Sequence, residues 1–494
     1  MISRRSPAQA DPGPGEPGAP GGEGGDALRA GLKNRHLSMI AIGGVIGAGL
    51  FVGSSAGIAA TGPAILLSYA LVGALVVLVM RMLGEMAAAR PSSGSFSEYA
   101  DRALGRWAGF SIGWLYWFFW VVVLAVEATA GAVILNGWVP AVPQWAWALI
   151  VMLLLTGSNL ASVGSYGEFE FWFAGIKVVA IGLFIVVGVL AAFGALPGSD
   201  NPAAGFGHLT DSGGFLPKGP GSILTGVLTV VFSFMGSEIV TLAAGESANP
   251  QRAVTKATNS VIWRISVFYL GSILVVLLLL PWNAPSITKD GSYVAALDSV
   301  GIAHAGEVMN VIVLTAVLSC LNSGLYTASR MAFSLGRRGD APRSFARTSG
   351  RGVPRAAILG SVVFGFLAVF FNYRWPDTVF AFLLNSSGAV ALFVWLVICC
   401  TQLRMRGIVL REAPERLVVR MWLFPYLTWA TIAMIVFVLG YMLTDDAGRD
   451  QVLASLLAAV VVVAAALVLQ WRRKQAGTPR AAGEAPATET SEKT

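Results

Sequence analysis

Twelve stretches of the chain are almost continuously apolar, at about 37–60, 63–88, 108–134, 144–163, 169–194, 222–245, 258–281, 306–335, 355–373, 377–402, 420–443 and 451–471. Most reach the roughly 20 residues that a helix needs to cross the hydrocarbon core of a bilayer. Short polar segments separate them. Pro63, Pro91, Pro140, Pro143 and Pro281 fall at span ends, where a residue without an N–H is expected to stop a helix. The pattern predicts an all-α polytopic membrane protein of about twelve transmembrane helices.

Two of the spans are interrupted. In the first, Gly43, Gly44, Gly47, Gly49 and Gly53 fall within eleven residues. Each glycine costs a helix about 1 kcal/mol relative to alanine, so the backbone is expected to unwind near Ile46, Gly47, Ala48 and Gly49. Bare backbone is tolerated at membrane depth only where it lines a cavity or is buried in protein. There the freed N–H groups, and the positive end of the following half-helix, can hold a carboxylate. Gly43–Gly47 and Gly49–Gly53 also have the GxxxG spacing of a helix-packing seam. The sixth span decides for a site. Gly236 and Ser237 interrupt it, Glu238 places a carboxylate within it, and Ser233 and Ser237 offer hydroxyls to backbone groups left over by unwinding. Paired interruptions five spans apart point to an inverted-repeat transporter with its binding site between the breaks. Repeat one then covers about 37–194 and repeat two about 222–402. Two extra helices, about 420–471, lie outside the repeats.

Composition agrees. Of 494 residues, 55% are hydrophobic and only 12% charged, about half the charged share of a soluble protein; mean hydropathy is +0.69. The net charge of +7 reports topology and excludes nucleic acid as the partner. With the N-terminus inside, 26 of the 34 Lys and Arg fall in cytoplasmic segments and only Lys218, Lys289, Arg374 and Arg449 in outer loops. The positive-inside rule therefore places both termini in the cytoplasm. Residues 1–30 and 475–494 read as disordered cytoplasmic tails around a membrane domain at 31–474, with no apolar core of a signal peptide before Leu37. Cys320, Cys399 and Cys400 sit in apolar runs and read as small buried side chains, with neither disulfide nor metal spacing.

Ionisable residues within the spans are the next signal, because burying one costs at least about 2.5–3.5 kcal/mol. Lys177 is surrounded by apolar residues about two turns from the inner end of the fifth span; snorkelling to the interface is the competing account. Glu127 is deep in the third span, where it can face a substrate amine, relay a proton or pair with a polar neighbour. Glu238 sits just past the sixth-span break, at the site or bracing the unwound segment. Arg264 and Arg330 are expected to snorkel, and Glu85, Glu168 and Glu170 to serve an inner gate. Of the aromatics, Phe232 and Phe234 are placed at the site as a lid and a wall. The run Tyr116, Trp117, Phe118, Phe119 and Trp120 is assigned to lipid contact and packing, and Trp138, Trp145 and Trp147 to an outer interfacial belt. Asn322, Ser323, Asn385, Ser386 and Ser387 either line a pathway or bond helix to helix.

Several blocks carry a resemblance. The first-span glycine motif, Thr61-Gly62-Pro63, Gly84-Glu85 with Pro91, FSFMGSEIVTLAAGES (232–247) and NSVIWRISVFY (259–269) resemble the amino acid permeases of the amino acid–polyamine–organocation superfamily. GSFSEYADRALGRWAG (94–109), YGEFEFW (166–172) and SCLNSGLYTASRM (319–331) are most similar to the bacterial 4-aminobutyrate (GABA) permeases within it. Gly49 is a departure, since GABA permeases can carry another small residue there. The resemblance implies a LeuT-like 5+5 inverted repeat with broken first and sixth helices. It implies a multi-pass protein of the bacterial plasma membrane importing a zwitterionic amino acid, GABA first, by proton symport. A broader α-amino acid symporter is the alternative, and a substrate-gated sensor or channel a further one. Backbone N–H groups of Gly47, Ala48 and Gly49 would hold the carboxylate. Carbonyls at the breaks, Ile42 and Phe234 among them, would hold the ammonium with Glu238 or Glu127 nearby; Ile46, Phe232, Gly236 and Ser237 complete the site. Lys177 occupies the position of a fifth-span lysine that, in proton-coupled relatives, stands where sodium-coupled cousins bind sodium; Lys177 and Glu127 are the proton-coupling candidates. No metal or cofactor is expected, the partners being the amino acid and the bilayer. An enzyme reading is weakest: His36, His208 and His304 are scattered, without nucleophile–base or metal-ligand spacing.

Overall fold

A computed structural model describes residues 46–92, 94–161, 163–196, 205–244, 250–444 and 446–475, together with Arg35, His36 and Met39. Ile42 and the expected tail 1–30 lie outside these residues, as do 476–494. So do the side chains of Asn385, Ser386 and Ser387.

Helices stand at all twelve expected spans. Nine stretches of the described residues are long and apolar enough to cross a membrane, the first of them, Ala48–Ala89, holding two of the expected spans. Shorter apolar helices at Arg355–Phe371 and Tyr426–Met442 supply the ninth and eleventh. The fifth helix begins at Val163 and runs to Ala192, six residues ahead of its apolar stretch. Lys177 therefore lies about four turns into the helix, not two. Short helices also form between spans: amphipathic Ser95–Leu104 between the second and third, and Pro285–Lys289 and Ser292–Asp298 between the seventh and eighth.

Several spans five apart in the chain are neighbours. The first packs on the sixth, the second on the seventh, and the third (Arg106–Trp138) on the eighth (Ala305–Arg337). Small residues make the close approaches possible, as expected where lipid tails are no less apolar than a partner helix. A Cβ added to Gly324 would come within 2.8 Å of the Trp120 ring, and one added to Gly113 within 2.8 Å of Leu335.

Polar contacts tie down both ends of the bundle. Where 285–298 folds over the first span, the Ser292 N–H donates to Ser55 Oγ at 2.8 Å and the Ser54 and Ser292 hydroxyls share a bond of 2.7 Å. At the arginine-rich end, the Arg338 guanidinium donates to Ser97 and the Arg106 guanidinium pairs with Asp340 at 2.9 Å, clamping Ser95–Leu104 against the end of the eighth span. Glu85 is buried there, accepting from the Gln402 side chain at 2.9 Å and the Met421 N–H at 2.6 Å. Glu168, by contrast, is partly exposed and pairs with Arg35 and His36.

Two expectations fail. Arg264 and Arg330 do not snorkel: they are 2% and 3% exposed. Each stands on a helix face turned into the protein, Arg330 stacked over the Tyr326 ring at 4.1 Å and Arg264 within electrostatic reach of Glu238.

Candidate functional site between the two broken helices

The first span is out of helix where the glycines predict, at the start of its continuously described residues. Ile46 and Gly47 are not helical, Gly47 is extended (φ −141°, ψ −152°), and the helix starts at Ala48, so Gly49 is already inside it. Interruption frees backbone groups, and unpaired backbone groups in a membrane protein cost several kcal/mol each. Two buried ions take them up. Lys177 Nζ donates to the Ile46 carbonyl at 2.9 Å. The Ala48 N–H donates to both oxygens of Glu127, at 3.1 Å each. Lys177 is fully buried and Glu127 1% exposed, which removes snorkelling as an account of Lys177. Lys177 also donates to Ser319 Oγ at 2.8 Å, so that one ammonium joins the first, fifth and eighth spans.

The sixth span breaks around Gly236 and Ser237, as expected. Its helix Ser222–Phe234 stops, Met235 to Glu238 form a turn, and Ile239–Ala244 resumes it. Gly236 sits at φ +108°, a conformation that side chains rarely adopt. Here too the freed groups find partners nearby. The Gly236 N–H donates to the Glu238 carboxylate at 3.1 and 3.2 Å, and Ser237 Oγ to the Phe234 carbonyl at 3.0 Å. The breaks are joined directly: Ser233 Oγ donates to the Gly49 carbonyl at 2.6 Å, while Tyr269 donates to the Ser233 carbonyl at 3.1 Å.

A small cavity lies between them, lined by Gly49, Phe119, Trp120, Val123, Glu127, Phe232, Ser233, Met235 and Cys320. Its chemistry is one carboxylate, a hydroxyl, a thiol and aromatic faces. Of the predicted residues, Gly49, Phe232 and Glu127 line it. Gly47 and Ala48 stand behind Glu127 and Cys320, and the Ile46 carbonyl is turned to Lys177. Phe234 does not face it: its ring stacks on Tyr269 at 4.3 Å and meets Tyr69 edge-on. Glu238 turns back onto its own helix break, the bracing role weighed for it above.

Phe119, Trp120, Val123, Met235 and Cys320 were not picked out as lining. Phe119 and Trp120 are 1% exposed, so neither faces lipid. A signal was present: Tyr116, Trp120, Val123 and Glu127 recur at spacings of four, three and four, one face of a helix. The face that carries the deep glutamate is the face that meets the site. Among the described residues no group of His, Cys, Asp or Glu is arranged to hold a metal.

Because Gly49 touches the sixth span through backbone, it tolerates no side chain. A Cβ there would stand 2.8 Å from Ser233 Cα and 3.0 Å from the Phe232 ring. Gly49→Ala is expected to push the breaks apart at a cost of about 1–3 kcal/mol. Initial uptake rates in proteoliposomes with matched protein content should fall about tenfold or more; a wild-type rate would contradict the contact.

Two interrupted helices joined break to break, inside a bundle of apolar helices, define a polytopic membrane protein with a small cavity between the breaks. The chain belongs to the amino acid permease family, whose family model matches residues 36–477. It is 54% identical to the Gamma-aminobutyric acid permease of Bacillus subtilis (strain 168), covering 90% of this chain and 94% of that protein. With the Gamma-aminobutyric acid permease of Escherichia coli (strain K12) it shares 52% identity, covering 90% and 95%. The Aromatic amino acid transport protein AroP of Corynebacterium glutamicum is more distant, at 44% over 86% and 92%.

Proposed function

We propose that the chain imports a zwitterionic amino acid, GABA first, across the bacterial plasma membrane by proton symport, alternating access around the cavity between the two breaks. The observation that carries this reading is the junction of the breaks: Ser233 holds Gly49, and Glu127 holds Ala48, at the wall of one small cavity. A channel has no need of two interruptions closed around a central site. The 52–54% identity to two GABA permeases, against 44% to an aromatic amino acid transporter, favours GABA over a broader α-amino acid substrate.

In this reading the substrate carboxylate takes the N–H groups at Gly47, Ala48 and Gly49. Glu127 holds the Ala48 N–H in this structure, and two carboxylates cannot share it without strong repulsion. Glu127 must therefore swing away as substrate enters, and the swing turns it toward the substrate's ammonium. The carbonyls at the breaks, Ile42 and Phe234, complete the ammonium's surroundings, and Phe232 closes the cavity. Lys177, on the Ile46 carbonyl, answers the proton. Spans one to five and six to ten form the two repeats that rock about this site, with both termini in the cytoplasm, and the covers at 285–298 and 95–104 open in alternation.

Labelled GABA should accumulate in sodium-free proteoliposomes when the lumen is made alkaline. Unlabelled GABA should compete at the lowest concentration of any amino acid in a panel that includes phenylalanine, tryptophan and asparagine. Stronger competition by an α-amino acid would move the assignment to the broader symporter; downhill flux that no gradient can drive uphill would point to a channel.

A further inference from the structure

Glu170 is a buried carboxylate that neither break uses. It lies seven residues before Lys177 on the same continuous helix. Seven residues are close to two turns, so the two side chains share a face about 10 Å apart along the axis. Glu170 is fully buried. Ser319 of the eighth span stands between them: Lys177 Nζ donates to Ser319 Oγ at 2.8 Å, and the Ser319 hydroxyl donates to Glu170 Oε1 at 2.8 Å. The Asn322 and Ser323 side chains stand beside the same carboxylate as further hydrogen-bonding neighbours.

A carboxylate present only to neutralise a buried lysine is expected to meet it directly, in a charge-assisted bond. Glu170 is instead separated from the ammonium by one hydroxyl, at the end of a donor chain that starts on the lysine. Every bond in that chain is oriented for transfer: an N–H toward a hydroxyl oxygen, and that hydroxyl's O–H toward a carboxylate.

We propose that Lys177, Ser319 and Glu170 form a proton relay, with Glu170 receiving the coupling proton on its way from the substrate site. One N–H bond of Lys177 breaks as an O–H bond forms on Ser319 Oγ, while the original Ser319 O–H breaks and a new O–H forms on Glu170 Oε1. Lys177 becomes a neutral amine, Glu170 a neutral acid, and Ser319 is again a hydroxyl, its bond direction reversed. No other reactant is needed. The step removes two opposite charges together from a low-dielectric interior, where each alone costs several kcal/mol to bury. It also replaces the ammonium on the Ile46 carbonyl by an amine, a weaker donor, so the grip on the first-span break slackens as the proton moves. Other groups set the balance. Glu127 and Cys320 face Lys177 from the third and eighth spans; Asn322, Ser323 and Tyr166 lie around Glu170, and Arg330 stands further along, over Tyr326.

The relay rests on the proton-symport reading of Lys177, and the test separates the two. Full-length protein in proteoliposomes is assayed twice with labelled GABA: accumulation under an imposed inward proton gradient, and counterflow at uniform pH, which needs no net proton movement. Glu170→Gln keeps the volume and an oxygen to accept from Ser319 but takes up no proton. Its accumulation should fall at least tenfold while counterflow stays within about twofold of wild type. Ser319→Ala, which cuts the chain and leaves both ends, should show the same split, and Glu170→Asp should recover part of the accumulation. Wild-type accumulation by Glu170→Gln overturns the relay. So does parallel loss of counterflow and accumulation in both Glu170→Gln and Ser319→Ala, since the contacts would then be structural. A wild-type protein that ignores the proton gradient contradicts symport itself, whatever the variants do.

Discussion

Gly47→Val abolishes uptake in a protein that still inserts into the membrane: that is the largest expected effect of a single substitution in this site. A Cβ on Gly47 would stand 2.5 Å from Glu127 Oε1, 2.6 Å from Cys320 Cβ and 2.7 Å from Cys320 Sγ. Glu127 can swing away, but doing so gives up the Ala48 N–H. Cys320 Cβ cannot swing, because it is fixed to the backbone of the long eighth helix. Valine adds two further methyl groups and a stiff, β-branched side chain where the chain has no room for either. The affordable relaxation is to move the first span away from the eighth, which also lengthens the Lys177 bond to Ile46. Overpacking costs about 1–3 kcal/mol, and here it falls on the groups proposed to hold the carboxylate. Uptake should drop below detection and GABA binding should weaken by at least tenfold in purified protein. Undiminished affinity in that variant would place the substrate carboxylate elsewhere.

Lys177→Ala should lose gradient-driven accumulation more severely than exchange. The substitution leaves the Ile46 carbonyl and Ser319 without their ammonium and leaves Glu170 without the cation its hydroxyl bridge connects it to. Removing one member of a buried charge pair costs about 3–5 kcal/mol, so folding is checked by melting temperature and by Lys177→Met, which restores volume without charge. Under an inward proton gradient the internal-to-external GABA ratio should approach one in both variants, while counterflow at uniform pH persists at a reduced rate. Should either variant concentrate GABA as wild type does, Lys177 is a strut between the first and eighth spans, and Glu127 or Glu238 becomes the better proton site.

Much of this protein was determined by its sequence alone. Apolar runs of bilayer length became helices because a chain in lipid must satisfy its own backbone. The breaks followed from Gly47 and Gly236, where helix is disfavoured and nearby side chains offer replacement bonds. Lys177 and Glu127 were legible as special because charge in an apolar span is expensive. Only the tertiary structure decided which freed group each of them serves. The Ile46 carbonyl went to Lys177 and the Ala48 N–H to Glu127, from helices 131 and 79 residues away in the chain. It also decided facing. Phe234 turned onto Tyr69 and Tyr269, Trp120 turned into the cavity, Arg264 and Arg330 turned inward, and Glu170 met Ser319. The reason is physical: within a membrane the protein-facing and lipid-facing sides of a helix are equally apolar, so hydrophobicity marks the span and not its orientation. Orientation is settled by close packing and by hydrogen bonds between residues distant in sequence, which exist only once the helices have come together.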